Sequence, residues 1–185
     1  MKSEFQIAKI RAVLLYVLSQ FREGVDYIKL FKILYFAQQA NLVKYAKPLF
    51  DDSFHALKHG PVPSYTYKAL QIAEGKALDG DFSSFLDGIL VENKLVRAMV
   101  TPDSDYLSAS DLRTLDAAIS KYRDTNSYDL SDLSHDTAWR QAFERSTDDP
   151  QKDFMTLIDI ARAGNASVET VDYIREKERF KKEFA

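Results

Sequence analysis

The stretch from Tyr27 to Ala40 constrains the fold more than any other. In Tyr27-Ile28-Lys29-Leu30-Phe31-Lys32-Ile33-Leu34-Tyr35-Phe36-Ala37 apolar side chains fall on nearly every face of a helical wheel. A helix that is apolar all round is surrounded by its own protein rather than lying on a surface. Asp26 stands just before it, where a carboxylate can accept from the free N–H groups of a first helical turn. Lys29 and Lys32 are the only charges before Lys44, so a single narrow stripe is expected to reach water. The chain is therefore expected to be mainly α, a compact multi-helix domain built around a buried central helix.

The flanking segments read as the wrapping of that helix. Ile7, Ile10, Val13, Leu14, Val17, Leu18 and Phe21 recur at spacings of three and four, the pattern of an amphipathic helix that ends by Gly24. The short link to Asp26 favours packing of this helix along the central one. Residues 41–48 are expected to break the central helix, because Pro48 disfavours helical geometry before it. Ser64 then caps a helix to about Glu74. Gly75 and Gly80 mark a loop, and residues 82–91 read as a short helix starting at Asp81 or Ser83. One small β-hairpin is expected, with residues 95–100 and 106–108 flanking the proline- and aspartate-rich turn at 101–105. Ser110 is expected to cap a helix carrying Leu112, Leu115, Ala118, Ile119 and Tyr122. Ser131 is expected to cap another, carrying Leu133, Trp139 and Phe143. After a turn at Asp148-Asp149-Pro150, two closing helices read over 154–163 and 168–184, separated by Gly164-Asn165.

Composition excludes several functional classes. With 185 residues the chain has room for one sizeable core, and no repeat or composition shift divides residues 1–185. A net charge of −3 disfavours nucleic acid as the main partner, since a phosphate-tracking surface shows as basic excess. The chain holds no cysteine, which removes disulfides, thiolate metal sites and thiol catalysis, and fits a reducing compartment. No apolar run is long enough to suggest a membrane span. The segment after Met1 is interrupted by Lys9 and Arg11, unlike a signal peptide, so the cytoplasm is the simplest setting.

Catalytic chemistry finds little support. His55 and His59 lie four apart, and His135 with Asp51 or Asp52 could complete a zinc-type N/O set. Gly60 and Pro61 spoil the helical geometry such a pair needs. Asp129, Asp132 and Asp136 could hold Mg²⁺, yet acids at a helix start more commonly serve the dipole and the caps. Ser134-His135-Asp136 has the letters of a triad, but adjacent helical side chains diverge and cannot bond in series. There is no nucleophile elbow and no phosphate-binding glycine loop. Arg175-Glu176-Lys177-Glu178-Arg179 and Lys181-Lys182-Glu183 alternate in sign, which suits a solvated helix face.

The motif set resembles the Panacea domain, the SocA-like or DUF4065 antitoxin family. The matching pieces are Lys29-Leu30-Phe31-Lys32-Ile33-Leu34-Tyr35-Phe36-Ala37, Lys47-Pro48-Leu49-Phe50, and Phe54-x-Ala56-x-Lys58-His59-Gly60-Pro61-Val62 with Tyr67. They continue with Leu133-Ser134-His135 and Ala138-Trp139, so the likeness spans about residues 5–145, with the C-terminal helices of 150–185 beyond it. The chain departs from the pattern at Gln38-Gln39-Ala40-Asn41, where relatives often carry an aromatic, and at Pro63, where many have valine. Both departures are expected near contact surfaces.

The resemblance implies a non-catalytic bacterial or phage antitoxin that blocks a toxin encoded next door by direct contact. It implies no metal or cofactor, a cognate toxin as partner, and a homodimer or a heterotetramer with that toxin as candidate assemblies. Two other readings stand beside it: a metal-dependent hydrolase using His55, His59 and His135, and a phage accessory protein acting on a host target. The core is expected at Leu30, Leu34, Tyr35, Phe36, Phe50, Phe54 and Trp139. Rigid aromatics on a proline-stiffened loop lose little entropy on binding and make good anchors. The contact surface is therefore expected between Lys58 and Tyr67, at Lys58, His59, Pro61, Pro63, Tyr65 and Tyr67, with Tyr45 nearby.

Overall fold

A helix with apolar residues on nearly every side must be enclosed, and α2, Tyr27–Tyr45, is buried from Leu30 to Gln38. In the computed structural model, which describes residues 2–77 and 82–184, Leu30, Ile33, Leu34, Tyr35 and Ala37 are at most 1% exposed. Phe36, Phe50 and Phe54 are buried with them, while Trp139 is half-buried against the same cluster. Asp26 caps the helix, accepting from Lys29 N at 3.0 Å. The helix does not break at Asn41. It runs to Tyr45 and stops where Ala46 turns left-handed, φ 50°. Pro48 restricts only Lys47, beyond that end. The expected wet stripe exists, with Lys29 half-buried and Ala40 and Lys44 exposed on one face, but Lys32 is not part of it, being 1% exposed.

Helix α1, Glu4–Ser19, opens with a capping box between Ser3 and Gln6 and turns Ile10, Val13, Leu14, Val17 and Leu18 into the core. On other sides lie α5 (Ala109–Tyr122), α6 (Ser127–Leu133), α7 (Thr137–Asp148) and α8 (Leu157–Ala163), each touching α2 or a neighbour of it. The last helix, α9, Val168–Glu183, packs on α8 through Val171 and Ile174. Side-chain caps start these helices, but two of the expected caps fall elsewhere. Helix α5 is capped by Ser108 rather than Ser110. The segment expected as one helix from Ser131 is two, α6 capped by Asn126 and α7 capped by Asp136, with Ser131 inside α6.

Helix α3, Ser64–Ala73, has Ser64 within its first turn and no side-chain bond from the cap position, Pro63. A residue remote in sequence takes that part: the Asp52 carboxylate accepts from Tyr65 N and Thr66 N at 2.9 Å and from Thr66 Oγ1 at 2.8 Å. Helix α4 spans only Ser83–Leu86; the expected helix over 82–91 instead becomes a strand after Gly88. Gly80 and Asp81 lie outside the described residues.

The fold is mainly α, but it carries two small antiparallel sheets rather than one hairpin. One has the order β1-β5-β4, from Val25–Asp26, Leu95–Ala98 and Ile89–Glu92, with Val25 opposite Val96 and Val91 opposite Val96 on its other side. Its turn is Asn93-Lys94, both left-handed at φ 52° and 65°, the geometry a two-residue hairpin needs. The expected turn at 101–105 instead leads into a 3-10 turn, Ser104–Tyr106, capped by Asp103. The second sheet, order β3-β2-β6, joins Gly60–Pro63, Phe54–Leu57 and Phe154–Met155, with Phe54 opposite Pro63 and Leu57 opposite Gly60. Residues 154–155 were expected to be helical; their backbone pairs with His55 and Phe54 instead.

Truncating Leu34 to alanine removes a fully buried side chain from the centre of α2. The expected loss is about 2–5 kcal/mol in chemical denaturation. A loss under about 1 kcal/mol would mean that α2 is not the packing centre.

Candidate functional site: a hairpin latched from beneath

Strands β2 and β3 form a hairpin whose tip, Lys58-His59, is exposed. A two-stranded hairpin is barely stable in water by itself, and here three helices hold it. From α2, Lys32 Nζ donates to Pro61 O at 2.9 Å. From α6, Ser131 Oγ donates to His59 O at 3.0 Å. From α7, Trp139 Nε1 donates to Leu57 O at 2.9 Å. Gly60 sits over these donors at φ +96°, where a Cβ would meet Ser134 Oγ at 2.3 Å and Lys32 Cε at 2.7 Å. Only glycine both takes that backbone angle freely and leaves that space.

The latch continues downward. The Asp136 carboxylate caps α7 through Trp139 N at 3.0 Å and accepts from Tyr35 OH at 2.7 Å and Gln39 Nε2 at 2.9 Å. Ser134, fully buried, donates to Ser131 O at 2.7 Å. His135 stacks on Trp139 with ring centres 3.7 Å apart, and Trp139 stacks on Phe143 at 4.7 Å. Desolvation lowers the His135 pKa, and Lys32 and His59 nearby lower it further, while Asp132 and Asp136 oppose the change.

Lys32 is the costliest member of this group. A buried ammonium needs a counter-charge or it favours the neutral amine. No ion pair to Lys32 forms among the described residues, and burial lowers its pKa from 10.5 to about 7.

The six expected contact residues do not share one surface. Lys58 and His59 stand at the exposed tip. Pro61 and Pro63 are buried in β3, so they stiffen the hairpin and offer no contact face. Tyr65 is half-buried, 4.9 Å from Phe82 and 5.2 Å from Phe85. Tyr67 sets its edge against Phe31 at 5.7 Å and lines, with Tyr27 and Tyr128, a separate cleft of about 570 Å³. Tyr45 is half-buried beside Lys44. Instead, Leu57 (37% exposed) flanks the tip and Leu133 (58% exposed) ends α6, the helix that latches it. Leu133 was a quoted motif residue and Leu57 stood at an unspecified position of another motif, but without the fold an exposed leucine reads as core.

The departures at Gln38 and Asn41 are also buried rather than at a contact surface. Gln38 accepts from Leu49 N at 2.8 Å, and Asn41 donates to Lys47 O at 3.0 Å. The three histidines do not form a metal set. His55 Nδ1 lies 2.7 Å from Asp153 Oδ1, and His135 is in its ring stack. Among the described residues no group of three or more His, Asp or Glu side chains is placed to hold a metal ion. The Asp129 carboxylate accepts from the α6 cap Asn126 and that of Asp136 from Tyr35, so two of the three aspartates expected for Mg²⁺ are engaged separately. No helix among the described residues is long and apolar enough to cross a membrane.

This convergence gathers the pieces of the motif set, and the comparison with protein families agrees with it. The description "Antitoxin SocA-like, Panacea domain" matches residues 30–140. The chain belongs to that family. Its α8 and α9 lie beyond the matched region. Neither the curated proteins nor the solved structures gave a match.

The buried amine predicts a pH dependence. Below about pH 7 Lys32 is protonated in both states and contributes no slope. Above it the unfolded chain holds a proton that the folded chain has released, so stability rises with pH toward the unfolded value. The rise is at most about 1.4 kcal/mol per pH unit. Near pH 10 ionising tyrosines oppose it, because Tyr35 is held protonated by burial in the fold. Urea unfolding at pH 7 and pH 9 should show the rise, and Lys32→Met should abolish it. A rise that survives the substitution would assign it to another group.

Proposed function

We propose that this protein is an antitoxin that neutralises a protein toxin encoded beside it by direct contact, with no chemistry of its own. Family membership supports the antitoxin role. One structural observation supports occlusion as its means: three helices hold the β2–β3 hairpin, so its tip reaches the surface with its backbone already fixed. A preorganised surface loses little conformational entropy when a partner docks, so more of the contact energy appears as affinity. The contact surface is the tip, Lys58-His59, with Leu57 and Leu133 as apolar anchors. Pro61, Pro63, Ser131 and Trp139 hold it from beneath. Such an antitoxin works in the cytoplasm, where its toxin is made.

Co-expression with the adjacent gene tests the reading. The neighbouring product alone should arrest growth, and this chain should relieve the arrest. Leu133→Asp combined with Lys58→Glu should lower toxin affinity by more than tenfold while thermal unfolding stays within a few degrees of the native chain. A harmless neighbour would overturn the antitoxin reading. Full rescue by the double variant would move the contact surface away from the hairpin.

A further inference from the structure

Helix α9 carries a second apolar stripe that the fold leaves uncovered. Val171 and Ile174 face α8 and are buried, whereas Tyr173, Phe180 and Phe184 are 48%, 62% and 74% exposed. At about 100° per residue, Tyr173, Lys177, Phe180 and Phe184 fall in one strip, roughly a third of a turn from the buried face. Between them runs a shallow groove of about 630 Å³, lined by α9 side chains alone. Three aromatics in line are more than a solvated helix needs.

The spacing is that of a short heptad seam. Tyr173 and Phe180 take d positions, Lys177 and Phe184 take a positions, Glu176 and Glu183 take g, and Lys181 takes e. In a parallel helix pair each g residue meets the e residue of the next heptad on the other helix. Glu176 would therefore meet Lys181 of a second copy, twice over by symmetry. Glu176 has no ion pair among the described residues, while the Lys181 side chain, 65% exposed, bonds Glu178 at 3.1 Å on the side toward the body and would have to leave it to meet the second copy. An antiparallel pair would set the g glutamates against each other, acid against acid. A polar residue at one a position, here Lys177, suits a two-stranded register. Because the body lies to one side of the stripe, a two-fold axis along α9 sends the two bodies in opposite directions.

The geometry points to a parallel homodimer formed through α9, with a second copy of this chain as the occupant of the stripe. The proposal does not rest on the antitoxin reading, since α9 lies outside the family region.

The test uses the purified full chain alone, by sedimentation equilibrium up to high micromolar concentration. A reversible dimer is expected, and Phe180→Glu should leave only monomer without moving the thermal unfolding temperature. Glu176→Lys should weaken the dimer by up to about tenfold, and adding Lys181→Glu should restore it. The native chain lacks cysteine, so oxidised Lys177→Cys should yield a disulfide-linked dimer that reports this one juxtaposition. A chain that stays monomeric throughout overturns the proposal. So does a dimer untouched by Phe180→Glu, or a stripe needed only for toxin binding.

Discussion

Enclosing the middle of α2, buried from Leu30 to Gln38, imposes the condition that the rest of the fold meets. A polar side chain shut away from water must find a partner within the protein or lose the free energy of its lost hydration. Helix α2 carries Lys32, Gln38 and Asn41 at 1% exposure or less. Each is satisfied by a group remote from its own helical turn. Lys32 takes a hairpin carbonyl, Gln38 takes the backbone at Leu49 and Phe50, and Asn41 takes Lys47 O and Thr114 Oγ1. The helix is thus both an apolar centre and a set of hooks for the loops around it.

The hooks explain why one corner of the molecule is stiff. Three hairpin carbonyls accept from three different helices, and Gly60 closes the gap so tightly that no side chain fits there. Losing the Lys32 donor would leave the buried Pro61 carbonyl unpaired, an imbalance larger than the net worth of the bond. A partner meeting Leu57, Lys58 and His59 therefore meets a surface already fixed. The opposite end of the chain is built otherwise. Helix α9 is held on one face only and keeps an aromatic stripe outward.

Long periodic segments were legible because their burial follows from their own pattern. The existence of α1, α2, α5 and α9 could be read from apolar spacing, and Asp26 as a cap from its place before an apolar run. Short strands were not legible. Phe54–Leu57 and Gly60–Pro63 pair with each other, and Phe54 and His55 with Phe154–Met155, a partner about a hundred residues away. The turn of the β4–β5 hairpin, Asn93-Lys94, lacks the glycine that usually marks such a turn, while the proline- and aspartate-rich stretch after it drew the expectation to the wrong place. Cap serines misled for a similar reason: several side chains near a helix start can accept, and the backbone chose Ser108, Asn126 and Asp136. At the candidate site the motif residues were visible, but their exposure was not. Pro61 and Pro63 are buried, and Leu57 and Leu133 are out.

The sequence by itself determined that a helix apolar on nearly every face would be the centre, that helices would enclose it, and which residues carry the family motifs. These follow from local chemistry and spacing. Only the tertiary structure decided that Lys32 lies inside rather than in water, that Asp52 caps a helix it does not adjoin, and that Leu133 faces out. Those outcomes depend on which distant groups meet, and no spacing along the chain encodes a meeting across it.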